Sequence, residues 1–149
     1  MMPNTRPRYS IVAPVFNEEE TLPEFYRRMC AVTDGLDGPC ELVLVFDGSR
    51  DRSPEIGREL RTRDPRVKII CFSRNFGHQI AITAGIDYAE GDAVVARYTN
   101  EMRDATGKTI SVRGLTYYRL ADGKIVEDDP ITTPDLAAEL GPLLAPATA

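Results

Sequence analysis

Three short stretches of this chain gather side chains able to hold a nucleotide: Pro14-Val15-Phe16-Asn17-Glu18, Asp47-Gly48-Ser49 and Ser73-Arg74-Asn75-Phe76-Gly77-His78. An aromatic ring can stack on a base, a carboxylate accepts from a base imide or amine, and an arginine pairs with phosphate oxygens. No glycine-rich phosphate loop of either common type accompanies them, so a diphosphate bound here calls for a cation, ordinarily a metal held by carboxylates. Simpler roles compete at several of these positions. Asp47 suits a turn aspartate capping Ser49-Arg50, Arg74 can pair with nearby carboxylates, and the chain's one histidine, His78, suits a surface or packing role at a helix start.

For the three stretches to act together they must be delivered to one rim. Tyr9 to Ala13 reads as a short buried strand closed by Pro14, followed by Leu22, Phe25, Tyr26, Met29 and Val32 at helical spacing up to Asp34-Gly35. The run Glu41 to Phe46 reads as apolar on both faces, as in a central parallel strand, and Ser53-Pro54 opens a second helix. Val67 to Phe72 gives a third strand, Gln79 to Ala89 a third helix, and Asp92 to Ala96 the start of a fourth strand. Alternation of this kind predicts an α/β fold with a Rossmann-like βαβαβα half, in which the strand carboxyl ends share one rim.

The stretches YSIVAPVFNEEETLPEFYRRM, ELVLVFDGSRDRS and VKIICFSRNFGHQIAITAGIDYAEGDAVV resemble the nucleotide-binding half of family 2 glycosyltransferases, especially the bacterial polyprenyl-phosphate sugar transferases. The resemblance covers about residues 8 to 95 and has three motifs in order. It implies that Pro14, Phe16 and Glu18 border the nucleobase and ribose, that Asp47 reads the base, and that Arg74, Asn75 and Gly77 lie near the sugar diphosphate. Phe46 departs from the family pattern, which is usually polar or acidic there. The family would next show a strand ending in Asp-x-Asp to hold a metal, then an acceptor-binding half and often membrane helices. Here Val95 is followed by Ala96-Arg97-Tyr98-Thr99-Asn100, so a Mg or Mn ion is expected only if transferase activity is retained. Asp128, Asp129, Glu101 and Asp104 are the remaining candidate ligands, and a solvated acidic turn is the plainer reading of Asp128-Asp129.

After Thr99 the texture becomes that of longer antiparallel strands, which Val94 to Thr99 can join as a third. Thr109 to Leu120 changes phase at Gly114, which predicts a bulge or bend there, and Ala121-Asp122-Gly123 predicts a hairpin returning through Lys124 to Glu127. Thr133-Pro134-Asp135 predicts a short helix through Leu140. ATGKTISVRGLTYYRLADGKIVEDD resembles the carboxy-terminal strands of polyketide-cyclase-like proteins of the nuclear-transport-factor superfamily. The two resemblances together imply a hybrid, with a truncated nucleotide-binding half over residues 1–93 and cyclase-like strands and a helix over 94–149, packed as one unit in a mixed sheet. A transferase-like protein is the leading functional reading. An inactive hybrid and a cyclase-like small-molecule binder are the alternatives.

Composition bounds the partners. A net charge of −5 argues against a general nucleic-acid binder, and the hydrophobic fraction of 42% suits an ordinary globular core. No apolar run is long enough to span a bilayer and the first residues lack a signal-type apolar stretch, so a cytoplasmic location is expected. Cys30, Cys40 and Cys71 read as reduced core thiols. The uncovered edges of a mixed sheet predict a homodimer.

Overall fold

The computed structural model describes residues 6–103 and 106–131, with side chains not described at 98–102, 110–113 and 131. Its elements are β1 (Tyr9–Val15), α1 (Leu22–Thr33), β2 (Cys40–Phe46), α2 (Ser53–Arg63), β3 (Val67–Cys71), α3 (His78–Tyr88), β4 (Ala93–Arg103), β5 (Thr109–Ala121) and β6 (Lys124–Ile131). They build one six-stranded sheet in the order β3-β2-β1-β4-β5-β6. The first four strands in that order are parallel, and β4, β5 and β6 pair antiparallel. The expected mixed α/β sheet is therefore what the chain forms.

Helices cover both faces of the parallel half. On one side Leu22 and Phe25 of α1 and Ile56 and Leu60 of α2 pack against Ala13, Leu44 and Phe46. On the other, Ala81, Ile82 and Ile86 of α3 pack against Val12, Val45, Val94 and Ala96. This is why Leu42 to Phe46 are apolar in both phases: a strand covered on two sides has no solvent face to make polar. Helix α3 lies close to the sheet because it presents Gly85, where a Cβ would stand 2.2 Å from Val12 Cγ1.

Four expectations are corrected. Strand β1 does not close at Pro14 but runs on to Val15, with Pro14 opposite Val45. The missing N–H is tolerated because the β1–β4 ladder ends at Val12 and Ala96, leaving that side of Pro14 without a ladder partner. Gly114 stays in continuous register opposite Tyr98; the irregularity lies instead in the β5–β6 pairing, between Arg119 and Leu120. The run from Glu41 is not wholly apolar, since Glu41 is a carboxylate only 3% exposed. Finally, the cysteines are not core thiols: Cys30 and Cys40 are half-buried and Cys71, at the end of edge strand β3, is exposed, all three without a disulfide.

The Asp122-Gly123 hairpin forms as read, with φ of 53° and 71° at the two turn residues, the left-handed pair that matches strand twist. Strand β4 serves both parts of the sheet. Its first residues extend the parallel half and its whole length of 11 residues pairs with β5. The proposed helix from Thr133 to Leu140 falls outside the described residues.

Candidate functional site

Strand order reverses at β1, since β2 and β3 lie on one side of it and β4 on the other. At such a switch point the connections leave in opposite directions and open a crevice beyond the strand carboxyl ends. Here the crevice opens where β1 and β4 stop pairing. A cleft of about 500 Å³ occupies it, lined by Pro14, Val15, Phe16, Glu18, Asp47, Asn75, Gly77, His78 and Arg97. Six of the seven residues expected from sequence thus meet in one place. The seventh, Arg74, sits beside the cleft with its guanidinium 4.5 Å above the Phe76 ring.

The walls are fixed by side chains that lace neighbouring loops together. After β1 the chain turns through Asn17 at φ 52°. The Asn17 N–H donates to Ser49 Oγ at 3.1 Å and its Oδ1 accepts from the Arg50 N–H at 2.8 Å. Glu18 N–H donates to the fully buried Ser53 Oγ at 2.8 Å, and Glu19 exchanges bonds with Asp51 and the Arg52 N–H. Gly48, at φ +70°, lets the next loop approach: a Cβ there would lie 2.3 Å from the Arg74–Asn75 peptide.

Asp47 is the hinge pin of the site. It is 4% exposed and its two oxygens accept from the backbone N–H groups of Phe76 at 2.7 Å and Gly77 at 3.1 Å. Neither the local Ser49-Arg50 cap nor an open carboxylate describes this arrangement; the aspartate holds the start of α3 against the end of β2. The neighbouring Phe46 ring turns away from the cleft into the core, where it fills the space left by Gly57 of α2. Its departure from the polar residue usual there does not enter the site.

Two more residues complete the cleft: Arg97, which sequence reasoning did not assign to it, and His78, which it read chiefly as a surface or packing residue. Arg97 donates through Nη2 to both Glu18 oxygens, at 2.9 and 3.0 Å, and at 3.4 Å to the Pro14 carbonyl that β4 leaves unpaired. Its guanidinium also lies 5.2 Å from the Phe25 ring centre. The available signal was position: a residue just past Val95 at the carboxyl end of β4 must face the same rim. His78 lines the cleft at the start of α3. Burial and the neighbouring Arg97 hold its imidazole below the usual histidine range, against a smaller opposite pull from Asp47 and Glu18.

Among the described residues the donor set does not suit a metal ion. No two aspartates in the chain are separated by a single residue. Among the described residues no three His, Cys, Asp or Glu side chains converge as a ligand group. Within the cleft both Asp47 oxygens are engaged by backbone donors and both Glu18 oxygens by Arg97. Asp128 and Asp129 lie on β6, adjacent and exposed, so they project to opposite sheet faces away from this rim. Asp104 and the Glu101 side chain are outside the described residues.

A larger cleft, about 1130 Å³, opens at the other end of the sheet between α3 and the β5–β6 hairpin. Its charged groups include the exposed Arg6–Asp92 pair, and it lacks the convergent loops of the switch point. Size alone does not make it the site.

An α/β fold with a loop-built cleft at its topological switch point is of the doubly wound type, in which ligands bind in that crevice. The particular family follows from comparison. The model for "Glycosyl transferase family 2" matches residues 10–97, more than half of the chain, and the chain belongs to that family. Over 88 residues it is 61% identical to the uncharacterized glycosyltransferase YkcC of Bacillus subtilis, covering 59% of this chain and 27% of that protein. It is 42% identical, over 59% of itself and 29% of the relative, to a bactoprenol glucosyl transferase of a Shigella phage, SfV. An undecaprenyl-phosphate 4-deoxy-4-formamido-L-arabinose transferase of Edwardsiella ictaluri is 44% identical over 58% of this chain and 27% of that one. The protein is thus glycosyltransferase-like and related to polyprenyl-phosphate sugar transferases, and it spans less than a third of the length of these relatives. The crystal structure of Staphylococcus aureus TarS 1-349 shares the fold at a TM-score of 0.52 and 24% identity, covering 62% of this chain and 28% of that one. Among the described residues no helix is long and apolar enough to cross a membrane.

Proposed function

We propose that the switch-point cleft binds a nucleoside diphosphate or nucleotide sugar, as the nucleotide-recognising part of a polyprenyl-phosphate sugar transferase-type protein. One observation carries this reading: Pro14, Phe16, Glu18, Asp47, Asn75 and Gly77, chosen from three separated motifs, line a single cleft. Phe16, 46% exposed, offers a face on which a base can stack, and Glu18 and Pro14 border the base and ribose. Asp47 contributes to base recognition through the turn it holds, and Arg74 with Asn75 and Gly77 lies toward the diphosphate. In the full reaction class, an acceptor oxygen displaces the diphosphate at the anomeric carbon, and the protein's task is to stabilise the departing charge. Isothermal titration with uridine and guanosine diphosphates, with and without manganese, tests the reading. Heat saturating at one site per chain is expected with at least one nucleotide, and no heat or thermal shift with either would leave an inert hybrid.

The segment from Val94 on is proposed to derive from cyclase-like strands joined to a nucleotide-binding half that ends near residue 93, with β4 serving both. A shared strand makes the two parts one cooperative unit, so urea unfolding followed by circular dichroism and by tyrosine fluorescence should coincide; two separate transitions would contradict the single unit. A cytoplasmic location accords with the absence of a spanning helix among the described residues. A homodimer is proposed from the exposed Leu115, Ile125 and Val126 on the outer strands. Light scattering that gives a monomer mass at tens of micromolar removes it.

A further inference from the structure

The sheet brings an arginine, Arg97, into the lining of the switch-point cleft. Strand β4 does not end at the rim in a carboxylate pair but runs on to Arg103, 11 residues in all, and Arg97 on it lines the cleft. The guanidinium is held by Glu18, by the Pro14 carbonyl and by the Phe25 ring. All its hydrogen bonds to described residues leave from Nη2. Planar, permanently charged and already oriented, such a group can offer its other N–H donors to a phosphate without first being ordered. A divalent ion, by contrast, would have to share Glu18 with Arg97 or share Asp47 with the Phe76 and Gly77 amides, which already draw on the charge of these carboxylates. Among the described residues lining the cleft Arg97 is the permanent cation; Arg74 stands outside the lining, over Phe76, and burial with Arg97 holds the His78 imidazole below its usual range. A neighbouring cleft that shares Glu18 and Arg97 is lined by Glu19, Glu20 and Asp51, and its charge turns an anion toward the Phe16 side.

Resting on the nucleotide reading above, we propose that the Arg97 guanidinium takes the place of a metal ion, binding the diphosphate of the nucleotide so that recognition is independent of divalent cations. The experiment is calorimetric titration of the whole chain with uridine and guanosine diphosphates, once in EDTA and once in saturating manganese, on the wild type and on Arg97→Gln. The expected result is equal wild-type affinity in the two buffers and a loss of about tenfold or more in Arg97→Gln, the size of a charge-assisted bond to phosphate. Binding that requires manganese overturns the metal-free role of Arg97 and keeps the nucleotide reading. Absence of binding in both buffers overturns the two together. The wild-type comparison needs no variant to fold; for the variant, an unaltered circular dichroism spectrum with unaltered affinity overturns the assignment to Arg97.

Discussion

Replacing Asp47 with alanine separates the architecture of the site from its surroundings. The side chain is 4% exposed and accepts two backbone N–H bonds, from Phe76 at 2.7 Å and from Gly77 at 3.1 Å. Bonds to an ionised acceptor are each worth about 1.5–3 kcal/mol, and the two amides are partly rather than wholly buried, so water recovers some of the loss. The expected cost of Asp47→Ala is therefore about 2–4 kcal/mol, and Asp47→Asn, which keeps one acceptor but turns an NH2 toward a donor, should fall at about half of that. With a urea slope of about 2 kcal/mol per molar for a chain of this size, the alanine variant should unfold at about 1–2 M lower urea. Hydrogen exchange locates the effect: amides of Phe76 and Gly77 should lose protection before those of β2. An unchanged midpoint together with unchanged protection at those two amides would refute the role given to Asp47.

Other perturbations probe the frame beneath the site. Glu41, buried in β2, accepts from Ser10 Oγ and the Glu90 N–H and pairs with Lys68 Nζ at 2.7 Å, so Glu41→Ala should cost about 2–4 kcal/mol by urea unfolding. Burial pushes its carboxyl up, but Lys68, Ser10 and the Glu90 N–H outweigh burial and hold it below its ordinary value of 4.5. Its stabilisation is thus complete above that value and disappears as pH falls through the lower folded one; Glu41→Gln should lose less stability than wild type as pH falls below 4.5, and an identical acid limb would contradict the network. Gly57→Ala places a Cβ 2.3 Å from the Phe46 ring, and steric strain of about 1–3 kcal/mol should exceed the helix-propensity gain of about 1 kcal/mol; a raised melting temperature would show that the ring can move.

The elements were legible where their signals are local. Both-face apolarity at Leu42 to Phe46, Pro54 in the first turn of α2 and the Asp122-Gly123 turn each act over a few residues. Once those elements were placed, the common rim followed from topology, which is why six residues from three motifs could be assigned to one cleft. What was hidden depends on pairing across the sheet. Pro14 stays in β1 only because β4 stops pairing at Val12, and Glu41 is buried only because Lys68 and the Glu90 N–H arrive from β3 and the loop after α3. The partner of Asp47 was missed for the same reason: a turn aspartate looks local, yet its donors lie 29 and 30 residues away. Arg97 was noticed as an intrusion into an expected acidic pair, but its contact with Glu18, 79 residues earlier, has no sequence signature.

The claim that the β1–β4 crevice is a nucleotide site is tested most directly by amide chemical-shift mapping of the isotope-labelled chain during titration with uridine and guanosine diphosphates. At least one nucleotide should shift resonances of Val15, Phe16, Asn75, Gly77 and Arg97 with a common saturation curve, while Leu120 and Ile125 at the opposite cleft stay in place. No shifts with either nucleotide, or shifts confined to the cleft between α3 and the hairpin, would contradict the account.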